Sequence, residues 1–219
     1  MRQLLYPLLV CFTLLTACQS VQQPTQPSQS DVRIQGTLSH DAGDWYVQPC
    51  GEINRLQMDF ASSQVEETFN SFARQLEEPT FVDLGGDLDN PNFKQATRIS
   101  TNTFYRIQRE GHACDDPDFT KLILRVHGNE PFWTLLLTTD GLLLAQPDQQ
   151  PLALPYIEEQ LPDNFTYISS QADQEQLQLW ITPQHCTDSM SGALNHLSAM
   201  LDWNGHIFNG CGHYGAKRK

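Results

Sequence analysis

The feature that most constrains this chain is the period of its apolar residues, which is two along much of its length. Ile34, Gly36 and Leu38 alternate with polar neighbours, as do Leu56, Met58 and Phe60, and later Leu122, Leu124 and Val126. Successive strand side chains point to opposite faces, so each run reads as a half-buried strand. Turn signals separate the runs. Asp41-Ala42-Gly43 precedes Trp45-Tyr46-Val47, and Asp140-Gly141 divides Phe132–Thr139 from Leu142–Ala145. Asn204-Gly205 follows Ala199, Leu201 and Trp203 and leads into His206–Gly210, a second hairpin signal. Thr80–Leu84, Thr103–Ile107, Thr166–Ser169 and Leu177–Ile181 read as further strands, with Asp89-Asn90-Pro91-Asn92 as a turn. One stretch departs from the pattern. Val65, Phe69, Phe72, Ala73 and Leu76 fall at helical spacing, behind a Ser63-Gln64-Val65-Glu66 capping box and ahead of Pro79. Its aromatic stripe is expected to be core.

These elements predict a mainly β chain with one helix. Over residues 32–115 the order is three strands, a helix and two strands, the order of an OB-type five-stranded barrel. Residues 116–214 carry six or so strands and no long helix, which predicts a small antiparallel β-barrel or sandwich; Asp188–Asn195 is expected to be a loop. In the first half, Gln48-Pro49-Cys50-Gly51 and the run Phe81-Val82-Asp83-Leu84-Gly85-Gly86-Asp87-Leu88 resemble phrases in OB-like domains of bacterial envelope lipoproteins. One of these belongs to the copper-homeostasis and adhesion-sensing family, but no copper-binding motif of that family is visible here.

The chain opens Met1-Arg2-Gln3 and then runs apolar from Leu4 to Leu15. That is a charged n-region and an h-region too short to span a bilayer permanently. Leu15-Thr16-Ala17-Cys18 resembles the bacterial lipobox, which implies a signal peptide over residues 1–17 and lipidation of Cys18. Acyl chains each add about 0.8 kcal/mol per buried methylene, so several of them make a firm anchor. Gln19 stands where, by resemblance to lipoprotein sorting signals, an aspartate favours inner-membrane retention; glutamine implies the outer membrane, facing the periplasm. Residues 18–31 are rich in Gln, Ser and Pro and are expected to be a flexible tether. Residues 215–219 form a short basic tail.

The 219 residues carry 26 acidic side chains against 13 Lys and Arg, a formal net charge of −13. Loss of the signal, with its one arginine, makes the body one unit more negative. Such a body is repelled by phosphate backbones and anionic membrane surfaces, so nucleic acid is disfavoured as a partner. The expected partners are the membrane, through the lipid, and an envelope protein or a small ligand.

Six cysteines are present. Cys11 leaves with the signal and Cys18 takes lipid, leaving Cys50, Cys114, Cys186 and Cys211 for two disulfides in an oxidising compartment. Four cysteines allow three pairings, among which sequence alone does not choose. Sequence-local domains favour Cys50–Cys114 and Cys186–Cys211.

Three motifs in the second half stand out: Gly128-Asn129-Glu130-Pro131-Phe132-Trp133, then Cys186-Thr187-Asp188-Ser189-Met190-Ser191-Gly192, then Gly210-Cys211-Gly212. Together they resemble a family of bacterial envelope proteins with an Asn/Thr-Glu-Pro-Phe-Trp entry, a Cys-x-Asp-x-Met-Ser motif and a final Gly-Cys, over roughly residues 120–214. The pattern departs after Ser191, where Leu194-Asn195 replaces a Tyr-Pro. The resemblance implies an envelope address and no particular reaction. Glu130, Trp133 and Asp188 are the candidate binding residues; for Glu130 and Asp188, acceptance of backbone hydrogen bonds in a tight loop outweighs a catalytic role.

No catalytic, metal or cofactor site is assigned. His185, Cys186, His196, His206, Cys211 and His213 gather near the end, but no Cys-x-x-Cys or His-x-x-x-His spacing appears and disulfides would consume the thiols. Ser189 or Ser191 beside Asp188 is the best set for nucleophilic catalysis, without a Gly-x-Ser-x-Gly elbow. Asp115-Asp116-Pro117-Asp118 lacks calcium-loop spacing and reads as solvated linker, and Gly85-Gly86 reads as the end of a strand. The expectation is a non-enzymatic binding or interaction module. The alternative is a periplasmic metal-handling protein or a hydrolase using the C-terminal His, Asp and Ser residues.

Overall fold

A computed structural model describes residues 31–73, 80–111 and 113–216. Cys18, the signal, most of the tether, Leu76, Pro79 and Lys217–Lys219 lie outside the described residues.

The first body is a closed barrel of five strands: β1 (Asp31–Asp41), β2 (Asp44–Pro49), β3 (Leu56–Phe60), β4 (Thr80–Leu88) and β5 (Arg98–Gln108). β1, β2 and β3 form a meander, β1 also pairs with β4, β4 with β5, and β5 returns parallel to β3, which closes the ring. This is the OB arrangement the element order predicts, with α1 (Ser63–Ala73) between β3 and β4. Ala42 and Gly43, both at positive φ, make the tight β1–β2 turn. The helix cap sits one residue earlier than the capping box suggests: the Ser62 hydroxyl accepts from the Val65 amide at 3.3 Å. Phe69 is fully buried and packs on Trp45, Phe60 and Phe104, so the helix fills the barrel with an aromatic plug. Gly85 and Gly86 do not end a strand. They sit inside β4 at irregularities of the β4–β5 register, and a Cβ on Gly86 would run into the Ser100 carbonyl.

The second body is a curled antiparallel sheet of nine strands. They are β6 (Leu122–Asn129), β7 (Phe132–Thr138), β8 (Gly141–Ala145), β9 (Leu152–Leu154), β10 (Ile157–Gln160), β11 (Thr166–Ala172), β12 (Glu175–Thr182), β15 (Leu197–Trp203) and β16 (His206–Tyr214). Each pairs with the next except β9 with β10, and β16 returns to pair with β6. Among the described residues no ladder joins β9 to β10, which are linked by Pro155 and Tyr156. Inward side chains, mainly leucines, form one core with Trp133 at one end. β9 and β10 are too short for a periodicity to register, which accounts for the smaller strand count read from sequence.

The expected loop at 188–195 is partly strand. β13 (Cys186–Thr187) and β14 (Leu194–Asn195) form a small ribbon that joins the other body, where β14 pairs with β5 at Arg106 and Ile107. Leu194 is buried in the first barrel's core. The two bodies meet through the outer faces of β6 and β16. Arg33 forms a two-pronged bond to the buried Asp83, and its guanidinium also donates to the carbonyls of Tyr214, at 2.6 Å, and Gly215. Disulfides join Cys50 to Cys114 and Cys186 to Cys211, the sequence-local pairing.

Candidate functional site

Strand alternation places Arg125, His127 and Asn129 on the outer face of β6, and Cys211 and His213 on the neighbouring outer face of β16. The ribbon of β13 and β14 lies against these faces, tied by the Cys186–Cys211 bridge. All three sequence motifs therefore come together. They line one open groove of about 670 Å³ whose walls include His127, Asn129, Glu130, Asp188, Ser189, Asn209 and the disulfide.

Asp188 organises the groove. Its Oδ1 accepts from the amides of Met190 and Ser191, at 3.1 and 2.7 Å, and from the Ser191 hydroxyl at 2.7 Å. Its Oδ2 accepts from Asn129 Nδ2 at 2.8 Å and faces His127 Nε2 at 3.3 Å. Burial raises the carboxyl's pKa, but the Ser191 bonds, the Asn129 bond and the His127 charge outweigh it and bring the group to about 2. An ionised carboxylate with this many donors fixes the turn in a single shape. His127 is held below the ordinary histidine range, chiefly by burial, with Asp188 opposing and Arg106 assisting. The Ser191 hydroxyl donates to Asp188, and the Ser189 hydroxyl accepts from Asn129 at 3.1 Å, so both serines are engaged in holding the loop.

Glu130 is exposed on the groove wall, in the turn between β6 and β7. Trp133 does not reach the groove. It is 1% exposed and lies behind the wall, where a Cβ on Gly128 would collide with its Nε1 and one on Gly210 would stand 3.0 Å from its Cζ2. The same Cβ atoms would also run into the carbonyls of Asn209 and His127 respectively, so the two glycines serve the close approach of β6 and β16 as well as the seat of the indole.

The C-terminal histidines are scattered. His196 Nδ1 donates to the Tyr105 carbonyl, 2.9 Å away, while His213 is buried against Asn195 at 2.9 Å. His185 and His206 are exposed. Among the described residues no three His, Cys, Asp or Glu side chains form a group able to hold a metal ion. Asp116, expected in solvated linker, is buried and paired with Arg125 at 2.9 Å. His127 and Arg125 were not singled out from sequence, although their spacing of two from Asn129 is the signal that puts all three on one face.

No family model, curated protein or solved structure matches the chain.

Proposed function

We propose that this chain is a lipid-anchored bacterial envelope protein that works as a non-enzymatic binding module, its anchor at Cys18 in the outer membrane and its body in the periplasm. The n-region, h-region and Leu15-Thr16-Ala17-Cys18 support the address, and two disulfides suit an oxidising compartment. The observation that carries the binding reading is the groove itself. Three motifs far apart in sequence meet there, and Asp188 is spent on shaping the wall. A preformed wall with exposed Glu130 and Asn209 beside exposed Ile207 is suited to holding a protein segment or small ligand.

The address and the groove are tested separately. Cys18→Ser should move the protein from the membrane fraction to the soluble one; undiminished membrane association contradicts the anchor. A photo-crosslinking residue at Glu130 or Thr187 in intact cells should capture one defined adduct, and the same probe at Arg98, on the other body, should not. Identical patterns from all three positions would remove the groove from the reading. Stoichiometric zinc or copper surviving dialysis of untagged protein would replace it with metal handling.

A further inference from the structure

A second recess lies on the far side of the curled sheet, and its lining has a different chemistry. Pro155 interrupts the chain between β9 and β10, and β10 pairs with β11 only from Ile157 opposite Ser169 to Gln160 opposite Thr166. Ser170, Gln171 and Ala172 of β11 therefore extend past the start of β10. The vacated corner is a recess of about 430 Å³.

The lining contains no Asp, Glu, Lys, Arg or His. In a chain of net charge −13 this neutral corner is distinctive, and it offers no counter-charge to an anion or a cation. Gln171 and Gln176 face each other across β11 and β12, and Gln178 lies opposite Ser169. The side-chain amides of these three glutamines, and the hydroxyls of Tyr156 and Tyr167, have no hydrogen-bond partner among the described residues. Ser170, opposite the core residue Leu177, turns its side chain to the inner face of the sheet, away from the amides of Gln171, Gln176 and Gln178. Tyr167, packed on Trp180 with ring centroids 5.4 Å apart, offers an aromatic body beside the amides.

From this lining we infer that the recess is a binding site for a neutral sugar, a hexose or N-acetylhexosamine unit of a glycan. Planar amides donate and accept together, as vicinal sugar hydroxyls require, and an aromatic ring packs against the apolar face of a pyranose. The volume admits one or two sugar rings. The site is separate from the groove proposed above and depends on neither that groove nor the lipid anchor.

The experiment is a titration of the purified body, followed by amide NMR shifts, with chitotriose in one arm, maltotriose in a second and a neutral tetrapeptide in a third. At least one sugar should give saturable shifts centred on residues 155–157 and 169–178. Chitotriose would point to an aminosugar polymer as the source and maltotriose to a plain hexose chain. Gln176→Ala with Gln178→Ala should weaken that binding about tenfold or more, the loss expected of one or two ligand hydrogen bonds. Arg98→Ala, on the other body, should leave the sugar titration unchanged. Saturation by the peptide alone, shifts centred elsewhere, or no saturation by either sugar would overturn the proposal.

Discussion

The first barrel is filled by a helix side chain and laced by ladders around its whole circumference, whereas the second is filled from its own strands and left unlaced between β9 and β10. Phe69 and its aromatic neighbours occupy the centre of one; leucines from six strands and a terminal Trp133 occupy the other. The cause lies in the connections. Closure of the OB barrel needs the parallel return of β5 onto β3, with the helix spanning one end, while the second body is built almost wholly from hairpins between successive strands. A hairpin meander curls with its twist but closes only if its ends meet, and Pro155 prevents β9 and β10 from continuing their ladders. Closure by long-range pairing leaves a tight, plugged interior, whereas the meander leaves a seam between β9 and β10.

The largest test of this contrast is in the two plugs. Phe69→Ala and Trp133→Ala should each destabilise by about 3–5 kcal/mol in urea unfolding. Because β14, Leu194 and Arg33 join the bodies, each variant should shift one shared transition; two separately moving transitions would break the link. Next are the bridges. Removing either disulfide should cost about 2–5 kcal/mol, with Cys50→Ala/Cys114→Ala costing about 0.8 kcal/mol more on loop length, since their separation is 64 residues against 25. A larger loss from the shorter loop would mean that the Cys186–Cys211 bridge supports the junction itself.

The smallest effect is in pH. Burial lowers His196 to about 4 and holds His213 well below its ordinary 6.5. His196 is opposed by its bond to the Tyr105 carbonyl and helped by Arg33 and His185; His213 faces Arg106, Arg125, His127 and His196. As pH falls below 6.5 the unfolded chain takes up protons that the folded chain refuses, so stability declines, and the His196 contribution is complete near pH 4. Asp188 acts lower down: its stabilisation is present above 3.8 and is lost as pH falls through about 2. Melting temperature against pH should therefore fall in two stages. His196→Gln should flatten the upper stage and Asp188→Asn the lower, and an unchanged profile in either variant would refute its assignment.

Much of this architecture was legible because it is local. Alternation around Ile34, Leu56 and Leu124, the hairpins at Asp140-Gly141 and Asn204-Gly205, and the helical spacing of Val65 and Phe69 depend on near neighbours only. What could not be read depends on distant partners. Asp116 looks like linker until Arg125 is placed beside it, and Leu194 sits in a serine- and glycine-containing stretch whose packing site is on another body. The motifs carrying Asn129, Asp188 and Gly210 are visible as strings, but their meeting point exists only once the sheet has curled and the Cys186–Cys211 bridge has drawn the ribbon in.

The seat of β14 on β5 has a consequence for any shortened form of the protein. β3 covers one edge of β5 at Arg98–Thr101, and further along, at Arg106–Ile107, β14 takes its place. A chain cut before residue 186 would bare that stretch of backbone amides and carbonyls and open the core where Leu194 fits. Uncovered strand edges template pairing with other molecules. The isolated N-terminal half should therefore self-associate, and the two bodies are better studied together than apart.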